Sequence, residues 1–463
     1  VYALKHSMLW LLFIVISTFF GFNILQLLKS ENHQFFLTCS ISWLIGSMIS
    51  SFIIFIFHFL LPLNAFLTIL TMLVETITIL LMNKAKKQKI NISAFKRIFI
   101  FESENKLYYL LFLVASITTL NLYISFSHYP KSLPCGSFSY IETELSFIES
   151  TRKGINRRRK HPFFYQDPLN NQQYFSTSSI PLLFVSALDS LGCGYIESTV
   201  IISFLNILST VISIFYYSRM FKSHPFIISL TYLFNSGWSF FRYFYGEYNC
   251  KSHDYIHDIC GRTSIPWHSL IGFFMIYSKE ASFSIPLSLF TCVYLLYNKS
   301  KSHLRSRLYI CAGILAALIP SPGVSICTFL FGSCFPSSFG YFIPFSLSII
   351  PKLIGLRITY YPLWREYQMN GVFFAPIVLW FNQFGPTFFS MIFPSSALYS
   401  PTSLHQFLSN ISSFLLMNFF RIGNGHFENI IGIMAVTMPM ASVYFVDFLD
   451  RLIKIVQNPL KKG

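Results

Sequence analysis

Charged side chains are scarce in this chain: Asp, Glu, Lys and Arg make up 11% of its 463 residues, whereas 53% are hydrophobic. A soluble domain of that length needs many more charges to cover its surface, so the composition excludes a water-soluble enzyme, a collagen-like chain and a disordered tail. Acidic residues are the scarcer kind, because 34 Lys and Arg stand against 18 Asp and Glu. In so apolar a chain this excess of cations is typical of cytoplasmic loops, and it gives no reason to expect binding to nucleic acid.

Apolar runs long enough to span a bilayer recur along the whole sequence. The first, from Met8 to Leu28, has no small-residue cleavage site after it, so we interpret it as a transmembrane helix and not as a cleavable signal peptide. Backbone polar groups in lipid must be satisfied internally, and we therefore predict an all-α integral membrane protein with about 11 to 13 transmembrane helices. The predicted spans are 8–28, 35–61, 64–82, 107–127, 196–217, 225–245, 281–297, 308–320, 323–350, 371–395, 404–420 and 428–448.

Basic residues orient the predicted bundle. The stretch from Lys84 to Arg97 should be cytoplasmic. The runs Arg219–Lys222 and Lys299–Arg307 fall on the same side if two short segments, 180–191 and 266–279, do not cross the membrane fully. Both segments are interrupted by proline and polar residues, as expected of re-entrant or interfacial helices that line a cavity on the non-cytoplasmic side.

The chain divides into three predicted regions. Residues 1–106 hold N-terminal spans and a basic cytoplasmic linker, and residues 107–450 form the transmembrane core with a large extracytoplasmic loop at 128–178. Residues 451–463 form a basic C-terminal tail. No polar stretch is long enough to bury a core of its own, so no separate soluble domain is predicted.

Acidic residues are concentrated between Glu142 and Glu280, a segment with ten of the 18 in the chain. Glu142 and Glu144 could converge on one hydroxyl or one cation, and neighbouring like charges suit one of them to act as a general base. The pair could also hold a divalent cation, Mg²⁺ or Mn²⁺. The alternative is two solvated loop glutamates without a chemical role.

A run of cations follows in the same predicted extracytoplasmic loop, where the positive-inside bias does not place them. Either the topology is inverted or these cations have a ligand, and phosphates of lipids are the ligands at a membrane surface. Mere contact with headgroups is the alternative interpretation. The members of this run that we assign to a substrate are Arg157, Arg158, Arg159, Lys160 and His161.

A second polar stretch places His253 and His257 four residues apart, with Asp254 and Asp258 at the same spacing. On a helix each pair would share one face. We interpret Asp254, Tyr255 and His257 as polar lining of a substrate cavity, with a metal site as the chemical alternative. Glu75, within the third span, is costly in lipid and should face the bundle or pair with a cation.

Several short motifs, in this order, resemble GT-C-like polytopic membrane glycosyltransferases. Glu144-Leu145-Ser146-Phe147-Ile148, then Gly154-x-Asn156 and His161-Pro162-Phe163, are similar to the first large extracytoplasmic loop of that family. Later landmarks, placed between residues 107 and 450, are Phe234-Asn235-Ser236-Gly237-Trp238, Asp254 to His257, Trp267, Ser278-Lys279 in the place of a Gln-Arg pair, Ala312 to Pro320, Asn418 and Gly425 to Asn429.

The resemblance implies transfer of a sugar from a polyprenyl-phosphate carrier, a lipid-linked donor, to a hydroxyl acceptor with inversion at the anomeric carbon. It adds Asn156, Trp267 and Lys279 to the substrate-binding residues and gives Glu142 or Glu144 the role of catalytic base. The protein would be a multi-pass component of the endoplasmic reticulum or plasma membrane. A transporter, supported by Glu75 and the broken apolar segments, and a non-catalytic subunit of a glycosylation complex remain the alternatives.

Overall fold

The structure is a computed structural model, and about 87% of its described residues are helical, which agrees with the predicted all-α class. The described residues are 8–28, 35–85, 106–116, 147–151, 180–221, 224–235, 278–297, 305–333, 343, 345–346, 358–363, 377, 380–381, 384–392, 401–422 and 427–460.

Fourteen helices and two short strands can be bounded within these ranges. The helices are α1 (Leu9–Leu27), α2 (Phe35–Phe57), α3 (Ala65–Ala85), α4 (Lys106–Ser116), α5 (Ile180–Ser190), α6 (Tyr195–Arg219), α7 (Pro225–Leu233), α8 (Lys279–Tyr297), α9 (Arg305–Ala317), α10 (Pro322–Gly332), α11 (Thr387–Ile392), α12 (Pro401–Phe419), α13 (Phe427–Gly432) and α14 (Met438–Leu460). The strands β1 (Ile358–Tyr360) and β2 (Phe420–Ile422) pair antiparallel, with Thr359 opposite Arg421.

Five of these helical stretches are long and apolar enough to cross a membrane, judged by length and composition. They are Leu9–Leu27, Phe35–Phe57, Ala65–Lys84, Tyr195–Arg219 and Asn429–Gln457. The last runs from α13 into α14 through a π-helical turn at Ile433–Thr437. All five coincide with predicted spans, because long apolar runs are the strongest signal that a sequence gives.

Three predicted spans are wrong as continuous helices. The helix in 225–245 ends at Leu233, and the helix that starts the span 323–350 ends at Gly332. The third is broken at a glycine. The sequence predicts a helix over 371–395, but Gly385 adopts a positive φ of 55° and a new helix, α11, starts only at Thr387. Glycine reaches this left-handed region without a steric penalty, so the apolar run can turn there. Hydropathy reports which residues avoid water and not where the backbone breaks.

Helices α1 and α2 cross at close range because glycine lies at the contact. A Cβ on Gly21 would collide with the carbonyl oxygen of Ser42, and a Cβ on Gly46 would collide with the carbonyl oxygen of Ser17. Small residues let two helix backbones approach in this way, which is how helices associate where apolar burial gives little advantage over lipid.

Helix α3 completes an N-terminal group of three helices and has two distinct faces. One face is buried against α1 and α2 and carries Thr68, Thr71 and Glu75. The other face is exposed and mainly apolar, with Thr76 as a polar member, and such a face suits contact with lipid. Its exposed apolar members are Phe66, Ile69, Leu73, Ile77, Leu80 and Leu81.

Helix α8 is the centre of the bundle and packs against α2, α5, α6, α9 and α10. Three buried hydroxyl groups of α8 form hydrogen bonds with neighbouring segments. Ser282 accepts one from the side-chain amide of Asn206 (3.0 Å), and Ser284 accepts one from the backbone N–H of Ser321 (3.1 Å). Ser288 is hydrogen-bonded to Thr328 (2.7 Å). Such interhelical hydrogen bonds fix register between helices that are otherwise apolar.

Two hydrogen bonds give the direction of α8. Residues 203 and 206 of α6 bond to residues 279 and 282 of α8, so both pairs are separated by 76 positions. An equal separation means that α6 and α8 run parallel, and therefore Arg219 and Tyr297 finish at the same end of the bundle.

The C-terminal end of α3 lies at that end too. Thr68, in the first turn of α3, bonds to Ser190 at the close of α5 (2.9 Å), and α6 begins five residues later at Tyr195. Helices α3 and α6 thus start together. Both also run against α2, since Ser50 near its C-terminal end contacts Glu75 and the earlier residue Trp43 contacts Asn206, deeper in α6. Lys84, Arg219 and Tyr297 therefore share one end, as the distribution of basic residues predicts.

Candidate functional site

Lys279 is the one predicted site residue that falls within the described ranges. It is 1% exposed, and its Nζ donates a hydrogen bond to Ser203 Oγ on α6 (2.6 Å). The other predicted residues lie outside the described residues and stay predictions. They are Glu142, Glu144, Asn156, Arg157, Arg158, Arg159, Lys160, His161, Asp254, Tyr255, His257 and Trp267.

Lys279 is the first residue of α8, and this helix begins deep in the bundle. Ser203 is the ninth residue of α6, so the ammonium group lies about 12 Å along α6 from its first residue, at 1.5 Å per residue. Ser278 is buried as well, so α8 starts inside the bundle. A lysine buried so fully needs polar partners for its charge, and the Ser203 hydroxyl is one of them.

A hydrogen-bonded chain runs beside Lys279 and ties three helices together. Trp43 Nε1 of α2 donates to Asn206 Oδ1 of α6 (2.8 Å), and Asn206 Nδ2 donates to Ser282 Oγ of α8 (3.0 Å). Asn206 and Ser282 are fully buried. Each acceptor in this series of hydrogen bonds has a donor, so the series fixes α8 against α2 and α6 one turn beyond Lys279.

Helix α5 ends, rather than begins, at the face where α6 starts. Helix α5 has only 11 residues and is about 16 Å long. The ring of its Phe184 stacks on that of Phe13, with 4.8 Å between the ring centroids, and contacts Trp43 edge-on at 5.5 Å. Trp43 lies 14 residues before the end of α2, so the first half of α5 points into the bundle. Two helices, α5 and α8, therefore begin in the interior.

A short helical segment, residues 147–151, follows Glu144 by three positions. Phe147 and Ile148 are buried (0% and 1% exposed) and belong to the same apolar core as Phe283 of α8. The predicted loop 128–178 is thus docked on the bundle at this point.

The later landmarks of the resemblance have structural roles where they are described. Asn235 Nδ2 donates to Thr387 Oγ1 of α11 (3.1 Å), and Trp380 Nε1 donates to Asn418 Oδ1. Asn429 accepts from the backbone N–H of Ile422 (3.2 Å) and donates to the carbonyl of Met417 (2.6 Å). These asparagines satisfy buried backbone and side-chain groups, which accounts for them without a role in chemistry.

The predicted Mg²⁺ or Mn²⁺ stays a prediction, since Glu142 and Glu144 lie outside the described ranges. Within those ranges, no group of three or more His, Cys, Asp or Glu residues could hold a metal ion. The alternative metal site at His253 and His257 also lies outside the described residues and stays a prediction.

A second buried polar cluster lies between α1, α2 and α3. Glu75 is fully buried and contacts Ser17 Oγ (3.2 Å) and Ser50 Oγ, so it faces the bundle as the sequence predicts. The alternative prediction for Glu75 is an ion pair with a cation, and in the structure its contacts are with serine hydroxyl groups. Ser17, Ser50, Ser203 and Asn206 carry no sequence signal, because serines occur throughout the apolar runs.

Comparison of the whole chain with protein-family models, with curated proteins and with solved structures finds no match in any of the three.

Proposed function

We propose that the chain is a membrane glycosyltransferase that moves a sugar from a polyprenyl-phosphate donor to a hydroxyl acceptor. The observation that carries this proposal is the position of Lys279: a cation buried inside an apolar bundle, at the start of a helix, directly after the segment with Asp254, His257 and Trp267. An apolar bundle suits the carrier tail, and a buried cation suits its phosphate.

In the proposed reaction, Glu142 or Glu144 takes the proton of the acceptor hydroxyl while its oxygen attacks the anomeric carbon. The bond from that carbon to the carrier phosphate breaks, and the phosphate leaves with the electron pair. Lys279 and the cations Arg157 to Lys160 balance the charge of the leaving phosphate. A single displacement inverts the anomeric carbon.

The segment 147–151 supports a role for Glu144, three residues earlier in the sequence, because Phe147 and Ile148 are buried in the same core as α8. The interior starts of α5 and α8 support the proposal that segment 180–191, which contains α5, and segment 266–279, which ends where α8 begins, do not cross the membrane fully. When these two segments are not counted as spans, the proposed architecture has about 11 to 13 transmembrane helices. The proposed location is the endoplasmic reticulum or the plasma membrane.

The test is a transfer assay on the purified chain in lipid vesicles with polyprenyl-phosphate sugars and a hydroxyl acceptor. Because a general base contributes at least about a hundredfold, Glu142→Gln with Glu144→Gln should lower the initial rate by about that factor. Each single substitution identifies which carboxylate is the base. Glu197→Gln, which removes an exposed carboxylate at the start of α6, is the matched control and should leave the rate unchanged.

Full activity of the double variant counts against the carboxylate mechanism. Absence of transfer by the unaltered chain with every donor tested counts against the enzyme and favours a non-catalytic subunit or a transporter. The buried Glu75 is the observation that favours a transporter, because intramembrane ionisable groups commonly mark ion pathways.

A further inference from the structure

Glu75 occupies the middle of α3, with ten residues between it and either end of the helix. At 1.5 Å per residue, its Cα lies about 15 Å from each end. The side chain is fully buried, whereas the opposite face of α3 is exposed and mainly apolar. A carboxylate in such a place needs either a cation or a proton to offset its charge.

Hydroxyl and carbonyl groups surround the carboxyl group. Ser50 Oγ lies 2.7 Å from the carbonyl oxygen of Gly46 and 2.9 Å from Ser17 Oγ, and it also contacts Glu75 Oε1. Ser17 Oγ lies 3.2 Å from Glu75 Oε2 and 3.5 Å from Glu75 Oε1. These are five oxygen–oxygen contacts, and each requires one hydrogen to be a hydrogen bond.

An ionised Glu75 supplies no hydrogen, so the two serine hydroxyls provide only two hydrogens for the five contacts. A protonated Glu75 donates to Ser50 Oγ, which leaves the Ser50 hydroxyl free to donate to the Gly46 carbonyl and the Ser17 hydroxyl to donate to Glu75 Oε2. Three contacts are then satisfied. The protonated form therefore fits this geometry better than the carboxylate does.

No charged side chain within the described part of the chain compensates Glu75. Helix α1 has no titratable residue, and the groups on or beside the other packed helices are Cys39 and His58 of α2, Asp189 of α5 and Lys84 of α3. Lys84 is nine residues away along α3, about 13 Å, and His58 is eight residues beyond Ser50, about 12 Å. Both are too distant for an ion pair with Glu75.

We infer that Glu75, with Ser17 and Ser50, forms a proton-binding site inside the membrane, and that its ligand is one exchangeable proton. This site lies in the N-terminal three helices, which the resemblance to glycosyltransferases does not cover, and it does not depend on sugar transfer. Binding of the proton keeps the interior of α1, α2 and α3 neutral. Its loss places an uncompensated charge there, so the packing of α3 depends on pH.

The test uses the full chain in lipid vesicles and dicyclohexylcarbodiimide, a membrane-soluble reagent that adds to protonated carboxyl groups. The acid O–H adds across one C=N bond of the reagent, and the O-acylisourea rearranges to a stable N-acylurea that retains the whole reagent mass. We expect this mass on the peptide with Glu75 at about pH 7, with a labelling rate at least about tenfold lower at pH 9 than at pH 6.

Two matched controls accompany this measurement. Glu75→Gln keeps the shape and the hydrogen-bonding capacity of the side chain and should remove the label from that peptide, whereas Glu197→Gln should not change it. A water-soluble carbodiimide should leave Glu75 unmodified because the side chain is buried. No label on Glu75 at any pH, or a rate that does not change with pH, overturns the inference. Protection by sodium chloride but not by potassium chloride at one pH also overturns it, since the ligand would then be a metal cation.

Discussion

Replacing Lys279 by methionine is expected to lower the rate of sugar transfer by about two to three orders of magnitude, the loss typical when one charge-stabilising group is removed. Lys279 is almost fully buried, so its charge acts in a medium that screens little, and no water can substitute for it. Methionine has a similar length and no charge. The measurement is the initial transfer rate per folded molecule in vesicles.

The control for Lys279→Met is Trp43→Phe. This substitution removes the indole donor to Asn206, one turn from Lys279, and leaves the cation in place. It should lower the free energy of unfolding by about 1 to 3 kcal/mol, because a buried acceptor loses its donor, without a loss of rate per folded molecule. An equal loss of rate in both variants would mean that Lys279 acts through packing, and an unchanged rate in Lys279→Met would remove it from the site.

Gly46→Ala is expected to destabilise the N-terminal three helices by about 1 to 3 kcal/mol, the usual cost of an added methyl group where no space exists. The new Cβ would collide with the carbonyl oxygen of Ser17, which is backbone and cannot turn aside. Helices α1 and α2 must then separate. The measurement is the midpoint of thermal unfolding of the detergent-solubilised chain.

Val15→Ile is the matched control, since it also adds one carbon to this helix pair. Val15 is 54% exposed on α1, so the added carbon meets lipid or detergent and no backbone. Its unfolding midpoint should equal that of the unaltered chain. A Gly46→Ala midpoint within error of Val15→Ile would contradict the close contact of α1 and α2.

The helices of the fold were largely predictable from the sequence, and the reason is physical. The first predicted span, 8–28, corresponds to Leu9–Leu27, and 196–217 corresponds to Tyr195–Arg219, because a segment in lipid must be both apolar and helical. The break at Gly385 was not predictable, since glycine tolerates a helix as well as a turn and the neighbouring residues are apolar in either case.

The sequence does not predict which side chains the buried polar groups contact. Trp43 and Asn206 are 163 residues apart, and Ser17 and Glu75 are 58 apart, so no local pattern links them. Serine and threonine recur in most apolar runs, and each can satisfy its hydroxyl on its own helix. Which serine meets another helix depends on how the helices rotate and cross, and tertiary packing decides that.

Lys279 was predicted to bind substrate through its place in the resemblance, but its depth was not predicted. The sequence assigns it to a polar-interrupted segment, 266–279, whereas it is the first residue of α8. A lysine at a helix start is unfavourable for the helix dipole, and the following Glu280 offsets that effect. The parallel register of α6 and α8 is what locates Lys279 in the interior.

The most direct test of the proposed site is the side of the membrane on which its two undescribed loops lie. Cysteine is placed at Glu142 in one variant and at Asp254 in another, and sealed vesicles of known orientation are treated with a membrane-impermeant maleimide before peptide mass spectrometry. We expect both positions to react from the same side, opposite to a cysteine placed at Lys84. Reaction of the two positions from opposite sides of the membrane would contradict a shared site next to Lys279.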